Sequence, residues 1–101
     1  MQETQISLAW YVRNQLYRII QEALNNAVKH AEASNIEVSI VVDAQTVRVE
    51  VADDGKGHSQ AAEKGGFGIT TMYHRAAAIH ARLLIDSRPT GGTIVICECP
   101  Q

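Results

Sequence analysis

The sequence has little net charge and no long hydrophobic run, and these two deficits exclude whole classes of function. The 101 residues carry a formal charge of −2, and the basic residues are scattered along the chain. A nucleic-acid-binding surface would need a basic stripe, so that class is disfavoured. No stretch approaches the roughly 18 apolar residues of a membrane span, and the N-terminus lacks the charged and apolar regions of a signal peptide.

Cysteine is scarce, and the Walker phosphate-binding sequence is missing altogether. The two cysteines, Cys97 and Cys99, lie two residues apart in an apolar run, and on a strand they would point to the same face. They are predicted to be small buried residues in a reduced compartment. A metal site is disfavoured because no second Cys/His pair lies at ligand spacing. The sequence GxxxxGK followed by Ser or Thr does not occur, which argues against a Walker-type nucleotidase.

The sequence does contain a regular succession of helical and extended patterns. Apolar residues recur at helical spacing over residues 11–31 and 68–81, which predicts two amphipathic helices. Residues 1–9 alternate weakly, as a truncated strand would. Strands joined in pairs by short turns predict a largely antiparallel sheet with helices on one face, an α/β sandwich of one domain. The strands are predicted from β-branched clusters over residues 36–42, 47–52, 82–87 and 93–99.

The most informative stretch is QEALNNAVKHA, residues 21–31. A helix there sets Glu22 and Asn26 one turn apart on the same face, roughly 5–6 Å apart at Cβ. A carboxylate and an amide so placed suit a general base and a magnesium ligand, because a hard cation prefers oxygen donors. Alone, the pair would be an ordinary solvated helix face. Lys29 and His30 could reach a phosphate or a ribose, although His30 is equally well interpreted as a boundary histidine.

Three glycine-bearing sequences follow this helix, and each has an ordinary interpretation as a turn or a flexible loop. In the functional interpretation, Asp53 at a strand end accepts a hydrogen bond from the exocyclic amine of adenine. Gly55 and Gly57 then let the backbone approach the base. GGFG before a helix would offer bare N–H groups and a positive helix end to a phosphate. The three sequences are DDGKG at residues 53–57, GGFG at 65–68 and GGT at 91–93.

These motifs, in this order, resemble those of the GHKL ATPases, the Bergerat-fold group that includes gyrase, MutL and the histidine kinases. QEALNNAVKHA is similar to the N box, DDGKG to the first glycine box, GFGI to the second and GGTIVICECP to the closing G-T strand. LYRIIQEALNNAVKHA and GFGITTMYHRA resemble two-component histidine kinases of the nitrate/nitrite-sensor and degradation-sensor type. The resemblance covers residues 16–100. It implies a two-layer α/β (α+β) sandwich with a mostly antiparallel mixed sheet, the Bergerat ATP-binding fold.

The resemblance implies a role for each matching residue. Glu22 takes the place of the acidic base and Asn26 that of the magnesium-binding amide, so the implied cofactors are ATP and Mg²⁺. Asp53 takes the place of the adenine-reading carboxylate. The other implied ATP-binding positions are Lys29, His30, Gly55, Gly57, Gly66, Gly68, Ile69 and Thr93.

The resemblance also implies partners. The family's phosphoacceptor histidine lies in a separate helical dimerisation domain, and no such segment occurs here. The chain, residues 1–101, is therefore expected to be a single ATP-binding domain excised from a longer sensor kinase. The expected partners are the dimerisation domain and, indirectly, a response regulator. The expected location is the cytoplasm, without direct membrane contact. The parent protein is expected to be anchored in the inner membrane. Two alternatives stay open, a serine kinase of the anti-sigma type and a non-catalytic nucleotide-binding docking module.

Overall fold

A computed structural model describes residues 8–55 and 68–101 of the chain. Two helices and a π-helical turn cover one side of the described structure, and none of these helices is long and apolar enough to span a membrane. The helical elements are α1 (Trp10–Asn25), the π turn (Asn26–His30) and α2 (Ile69–Ala78). The strands are β1 (Ile36–Val42), β2 (Thr46–Asp53), β3 (Arg82–Ser87) and β4 (Thr93–Pro100).

The first helix has the predicted extent to within one residue, but its last turn is not α-helical. α1 stops at Asn25 and continues as the π turn Asn26–His30, with Ala31 directly after it. The N–H of Ala31 donates to the carbonyl of Asn26 at 2.9 Å, five residues back instead of four. The wider turn accommodates an extra residue at the helix end. An apolar repeat of 3.6 residues does not reveal such an insertion, because it spans only one turn.

The second helix is shorter than the predicted 68–81. Gly68 precedes it with a left-handed backbone, φ 73°, and His80 follows it with φ 57°. The N–H of Ala81 donates to the carbonyl of Ala76 at 2.9 Å, and that of His80 donates to Ala77 at 3.2 Å. These two bonds form a Schellman closure, which ends the α-helix before the apolar pattern does.

The four strands form one sheet in the order β1-β2-β4-β3, and each of the three pairings is antiparallel. β1 and β2 form the predicted hairpin, and β3 and β4 form a second one. The register between the central strands β2 and β4 runs to the pair Ala52–Ile94. Asp53 and Thr93 therefore lie next to each other at one end of the sheet.

The helices cover the sheet face that carries the alternate residues of β2 and β4. Every second residue of both strands is buried on that face, and burying one such side chain stabilises the fold by about 1.5–3 kcal/mol. The prediction of a mostly antiparallel sheet with helices on one face is confirmed. Cys97 and Cys99 are buried and free, as predicted, and burial raises the pKa of Cys97 to about 11. The helical side of the core consists of Leu16, Ile19, Ala23, Met72, Ala76 and Ile79.

Candidate functional site

Asp53 ends β2 as a buried carboxylate, 6% exposed. Its Oδ1 accepts a hydrogen bond from the N–H of Gly55 at 2.8 Å. This Asx turn fixes the direction of the side chain. Thr93, 9% exposed, begins β4 alongside it. A carboxylate beside a hydroxyl at a buried strand end can recognise the polar edge of a small ring.

Glu22 and Asn26 lie one helical turn apart, as their spacing predicts. The N–H of Asn26 donates to the carbonyl of Glu22, and both residues are half-buried. Oδ1 of Asn26 is buried and has no hydrogen-bond partner within residues 8–55 and 68–101. Leaving a buried acceptor unpaired costs about 1–3 kcal/mol. A buried acceptor without a partner suits the binding of a ligand. A cation, or a water molecule bound to it, suits this oxygen together with the carboxylate of Glu22.

Gly68 brings the start of α2 against Glu22. A β-carbon on Gly68 would collide with the carboxylate of Glu22, and the positive φ of Gly68 also disfavours any side chain. The first N–H groups of α2 are directed out of its N-terminus, which suits an anion. Ile69 packs its side chain against the core instead. A carboxylate, an unpaired amide oxygen and a positive helix end thus lie in one place.

The helical and sheet parts of the site meet at Gly55. A β-carbon there would collide with Ala31, which closes the π turn. A second link comes from Asp54, whose Oδ1 accepts the N–H groups of Ser34 and Asn35 at 2.8 Å, while its Oδ2 accepts Nδ2 of Asn35 at 2.8 Å. The backbone N–H of Asn35 holds the pKa of Asp54 below its usual range. These contacts fix the end of β2 to the end of the π turn.

The other predicted positions are placed less closely. Lys29 and His30 lie exposed on the π turn. Gly57 and Gly66 lie outside the described residues, so their positions stay predictions. The structure groups Glu22, Asn26 and Gly68 on the helical side of the site and Asp53, Gly55 and Thr93 on the sheet side.

Sequence reasoning missed three residues at this site. Nη1 of Arg88 donates to the main-chain carbonyl of Asp53 at 2.8 Å. Gly92 packs on the same carbonyl, where a β-carbon would collide with it. The link through Asp54 was missed as well. No spacing rule joins Arg88 to Asp53, but the glycine pair at 91–92 is a signal that could have indicated a close approach of two backbones.

The chain is similar to sensor kinases over most of its length. It is 37% identical over 91 residues to the signal transduction histidine-protein kinase/phosphatase DegS of Brevibacillus brevis, covering 89% of this chain and 24% of that protein. It is 39% identical over 87 residues to the oxygen sensor histidine kinase NreB of Staphylococcus carnosus, covering 84% of this chain and 25% of that protein. The chain thus spans about a quarter of the length of these curated relatives.

Solved structures share the fold. The blue-light activated histidine kinase of Erythrobacter litoralis superposes with a TM-score of 0.78 at 23% identity, over 95% of this chain and 32% of that one. The ATP binding domain of PrrB from Mycobacterium tuberculosis superposes with a TM-score of 0.72 at 23% identity, over 86% of this chain and 67% of that one. At such identities the likeness establishes the architecture, a four-stranded antiparallel sheet under two helices.

One family model matches nearly the whole chain. It is described as Histidine kinase-, DNA gyrase B-, and HSP90-like ATPase, and it matches residues 11–101. That span contains both halves of the site, from Glu22 on α1 to Thr93 on β4. The chain therefore belongs to the family of histidine kinase-, DNA gyrase B- and HSP90-like ATPases.

Proposed function

We propose that this chain is the ATP-binding catalytic domain of a two-component histidine kinase. It would deliver the γ-phosphoryl group of ATP to a histidine on a separate dimerisation domain. ATP binding follows from membership of an ATPase family, and the names of the relatives support histidine phosphorylation. The observation that carries the proposal is the buried, unpaired Oδ1 of Asn26 one turn from Glu22.

The donors at Asn26 fit a magnesium ion. Mg²⁺ usually takes one or two oxygens from protein and completes its shell with phosphates and water. Oδ1 of Asn26 is such an oxygen, buried and without a protein partner in the described part of the chain. Bound there, Mg²⁺ would neutralise charge on the phosphates of ATP. The amide would hold the ion without placing another negative charge beside the phosphates.

Glu22 is proposed as the general base. Its carboxylate, beside the start of α2, would accept the proton of the attacking group. The backbone N–H groups at Gly68 and Ile69 would bind phosphate oxygens at the positive helix end. Lys29 and His30, exposed on the π turn, would contact phosphate and nucleotide. Catalysis would then consist mainly of positioning and charge neutralisation, as in phosphoryl transfer generally.

Asp53 is proposed to recognise adenine. Its Oδ1 is engaged by the N–H of Gly55, so Oδ2 would accept the exocyclic amine. Thr93 would contact the same edge of the base. Gly57 and Gly66, which lie outside the described residues, are also proposed to border the nucleotide.

We also propose that the chain acts within a longer protein. The chain covers only 24% and 25% of the length of two curated relatives, which supports this. The remainder of such a parent would supply the dimerisation domain with its phosphoacceptor histidine and an anchor in the inner membrane. The ATP-binding domain would work in the cytoplasm, where ATP is available, and a response regulator would receive the phosphoryl group from the histidine.

Transfer of labelled phosphate tests the proposal. The chain is incubated with γ-labelled ATP, alone and with a histidine-bearing dimerisation domain, and acid-labile label is expected only on the second domain. Glu22→Gln should lose transfer and retain most ATP binding, because glutamine keeps the shape of glutamate but not its basicity. Glu37→Gln, at an exposed position on β1, is the matched control and should retain both.

Other outcomes would identify another function. Acid-stable label on a serine of a partner would indicate a serine kinase of the anti-sigma type. ATP binding without transfer to any histidine-bearing domain would indicate a docking module. Acid-labile label on the chain alone would show that it carries its own acceptor, and each of these three results contradicts the proposal.

A further inference from the structure

The turn between β3 and β4 is fixed by its own backbone. The N–H of Arg88 donates to the carbonyl of Gly92 at 3.0 Å, and the N–H of Gly91 donates to the carbonyl of Arg88 at 3.0 Å. Gly91 and Gly92 both have left-handed backbones, with φ of 100° and 97°. Arg88 is half-buried at the start of this turn. The backbone from which the side chain of Arg88 extends is therefore fixed. The side chain reaches the neighbouring end of β2.

That strand end is Asp53. Nη1 of Arg88 donates to its main-chain carbonyl at 2.8 Å, and Gly92 lies so close that a β-carbon would collide with the same oxygen. The assigned pairing of β2 with β4 stops one residue earlier, at Ala52–Ile94. β1 still pairs with Asp53 through Ile36 on the other side of β2. The guanidinium of Arg88 thus binds Asp53 just beyond the last pair that β2 forms with β4.

We propose that Arg88 is a positioning residue for base recognition: it holds the main chain at Asp53 so that the carboxylate keeps its direction toward the exocyclic amine. This inference rests on the proposed adenine contact of Asp53. A charged donor on a carbonyl forms one of the stronger hydrogen bonds in proteins. Once this donor is removed, the backbone carbonyl of Asp53 loses its side-chain hydrogen bond on the β4 side, and the carboxylate is no longer held in one direction.

Base selectivity separates this role from a merely structural one. Inosine triphosphate replaces the exocyclic amine of ATP by a carbonyl and leaves the phosphates unchanged. Calorimetry with Mg²⁺ gives the affinity ratio of ATP over inosine triphosphate for the wild type, Arg88→Met and Arg88→Lys. We expect Arg88→Met to reduce this ratio by about tenfold, which corresponds to roughly 1.4 kcal/mol, with little change in affinity for inosine triphosphate. Arg88→Lys should recover part of the ratio.

Two further proteins complete the test. Arg82→Met removes an exposed arginine from the other end of β3 and should keep the wild-type ratio. Arg88→Met should have no further effect on the ratio in an Asp53→Asn background, because it acts through that carboxylate.

The results are distinguishable. An unchanged ratio in Arg88→Met, or an equal loss of both nucleotides, overturns the positioning role and leaves the proposed function standing. Should Arg88→Met fail to fold, a wild-type ratio in Arg88→Lys together with one in Arg88→Gln would overturn it equally. A wild-type protein that binds neither nucleotide overturns the proposed function, and this inference with it.

Discussion

At the scale of single residues, Asn26 is distinguished by one buried side-chain atom that has no hydrogen-bond partner among the described residues. Two side-chain polar atoms are buried without a partner in residues 8–55 and 68–101, Oδ1 of Asn26 and Nε of Arg48. Arg48 still pairs with Glu50 through its Nη2 at 3.2 Å, so its charge is met elsewhere. The side chain of Asn26 has a single acceptor atom, so no second side-chain acceptor makes up for the hydrogen bond that Oδ1 lacks.

We therefore expect Asn26→Ala to weaken ATP binding mainly when Mg²⁺ is present, by about tenfold or more. The loss follows from removing the one protein oxygen proposed for the ion. ATP titrations with Mg²⁺ and with EDTA measure it. Asn25→Ala, a neighbouring change at an exposed position, should behave as wild type. An equal loss in both media would show that Asn26 is not the metal ligand.

At the scale of elements, the end of α2 carries a strained residue. His80 adopts a left-handed backbone in the position where helices most often have glycine. A residue with a β-carbon loses about 1–2 kcal/mol in that conformation, and glycine's greater unfolded-state freedom offsets about 0.5–1 kcal/mol of the gain.

His80→Gly should consequently stabilise the protein by roughly 0.5–1 kcal/mol, which raises Tm by a few degrees for a domain of this size. Thermal unfolding followed by circular dichroism measures the change. His74→Gly provides the opposite control, because it lies exposed inside α2 and should lower stability by roughly 0.3–0.5 kcal/mol. A fall in Tm for His80→Gly would mean that the imidazole makes a contact worth more than the strain.

The existence and order of the elements could be predicted because they depend on local patterns. β2 alternates buried and half-buried residues along its whole length, and that period is visible in the sequence. The ends of the helices could not be predicted in the same way. The Schellman closure depends on the backbone of His80, and the π turn depends on one extra residue after Asn25. Neither changes the apolar pattern.

Part of the candidate site was likewise accessible to prediction. Glu22 and Asn26 are close in sequence, so their separation follows from helix geometry. Asp53 was singled out because a strand and a glycine flank it. The contact from Arg88 and the one from Asp54 join residues about 20 to 35 positions apart. Such contacts depend on strand order and register, which a single sequence with short apolar runs leaves open.

At the scale of the whole molecule, two exposed carboxylates couple stability to acid pH. The N–H of Asn35 lowers the pKa of Asp54 in the folded state, and the N–H groups of Gln45 and Thr46 lower that of Asp43. A lowered folded pKa means that the unfolded chain binds the proton more tightly. The stabilisation that each ionised carboxylate gives to the folded state is therefore complete above the unfolded pKa of about 3.9. It is lost as pH falls through the folded pKa.

Below about pH 4 we expect stability to decrease, and Asp54→Asn should flatten that decrease because the titrating group is gone. Urea unfolding between about pH 6 and pH 2.5 gives the slopes. Asp43→Asn should remove a separate share of the slope, and the double variant should give the flattest profile, since Asp43 and Asp54 lie at opposite ends of the β1–β2 pair. A wild-type slope in Asp54→Asn would show that this carboxylate is not coupled to folding.

The alkylation of the two thiols of β4 can be used to follow the opening of the protein. Cys97 and Cys99 are each 1% exposed, and the pKa of Cys97 is raised to about 11, so alkylation has to wait for the chain to open. Thiolates are the reactive species, and opening restores ordinary acidity. A ligand that binds only the closed form at about 100 times its Kd stabilises it by about 2.7 kcal/mol. Iodoacetamide should then react about 100-fold more slowly.

The rate of carboxamidomethylation against ATP concentration thus yields an affinity without any labelled nucleotide. Cys97→Ala and Cys99→Ala tell which thiol is followed, and mass spectrometry counts the adducts. Protection that saturates with ATP would mean that the binding site and the middle of the sheet open together. A rate that does not change with ATP would mean that the part of β4 around Cys97 and Cys99 opens while Thr93, at its start, stays in the closed site. The alkylation rate of these two cysteines would then show whether the opening of the sheet under the helices is cooperative with the opening of the ATP site.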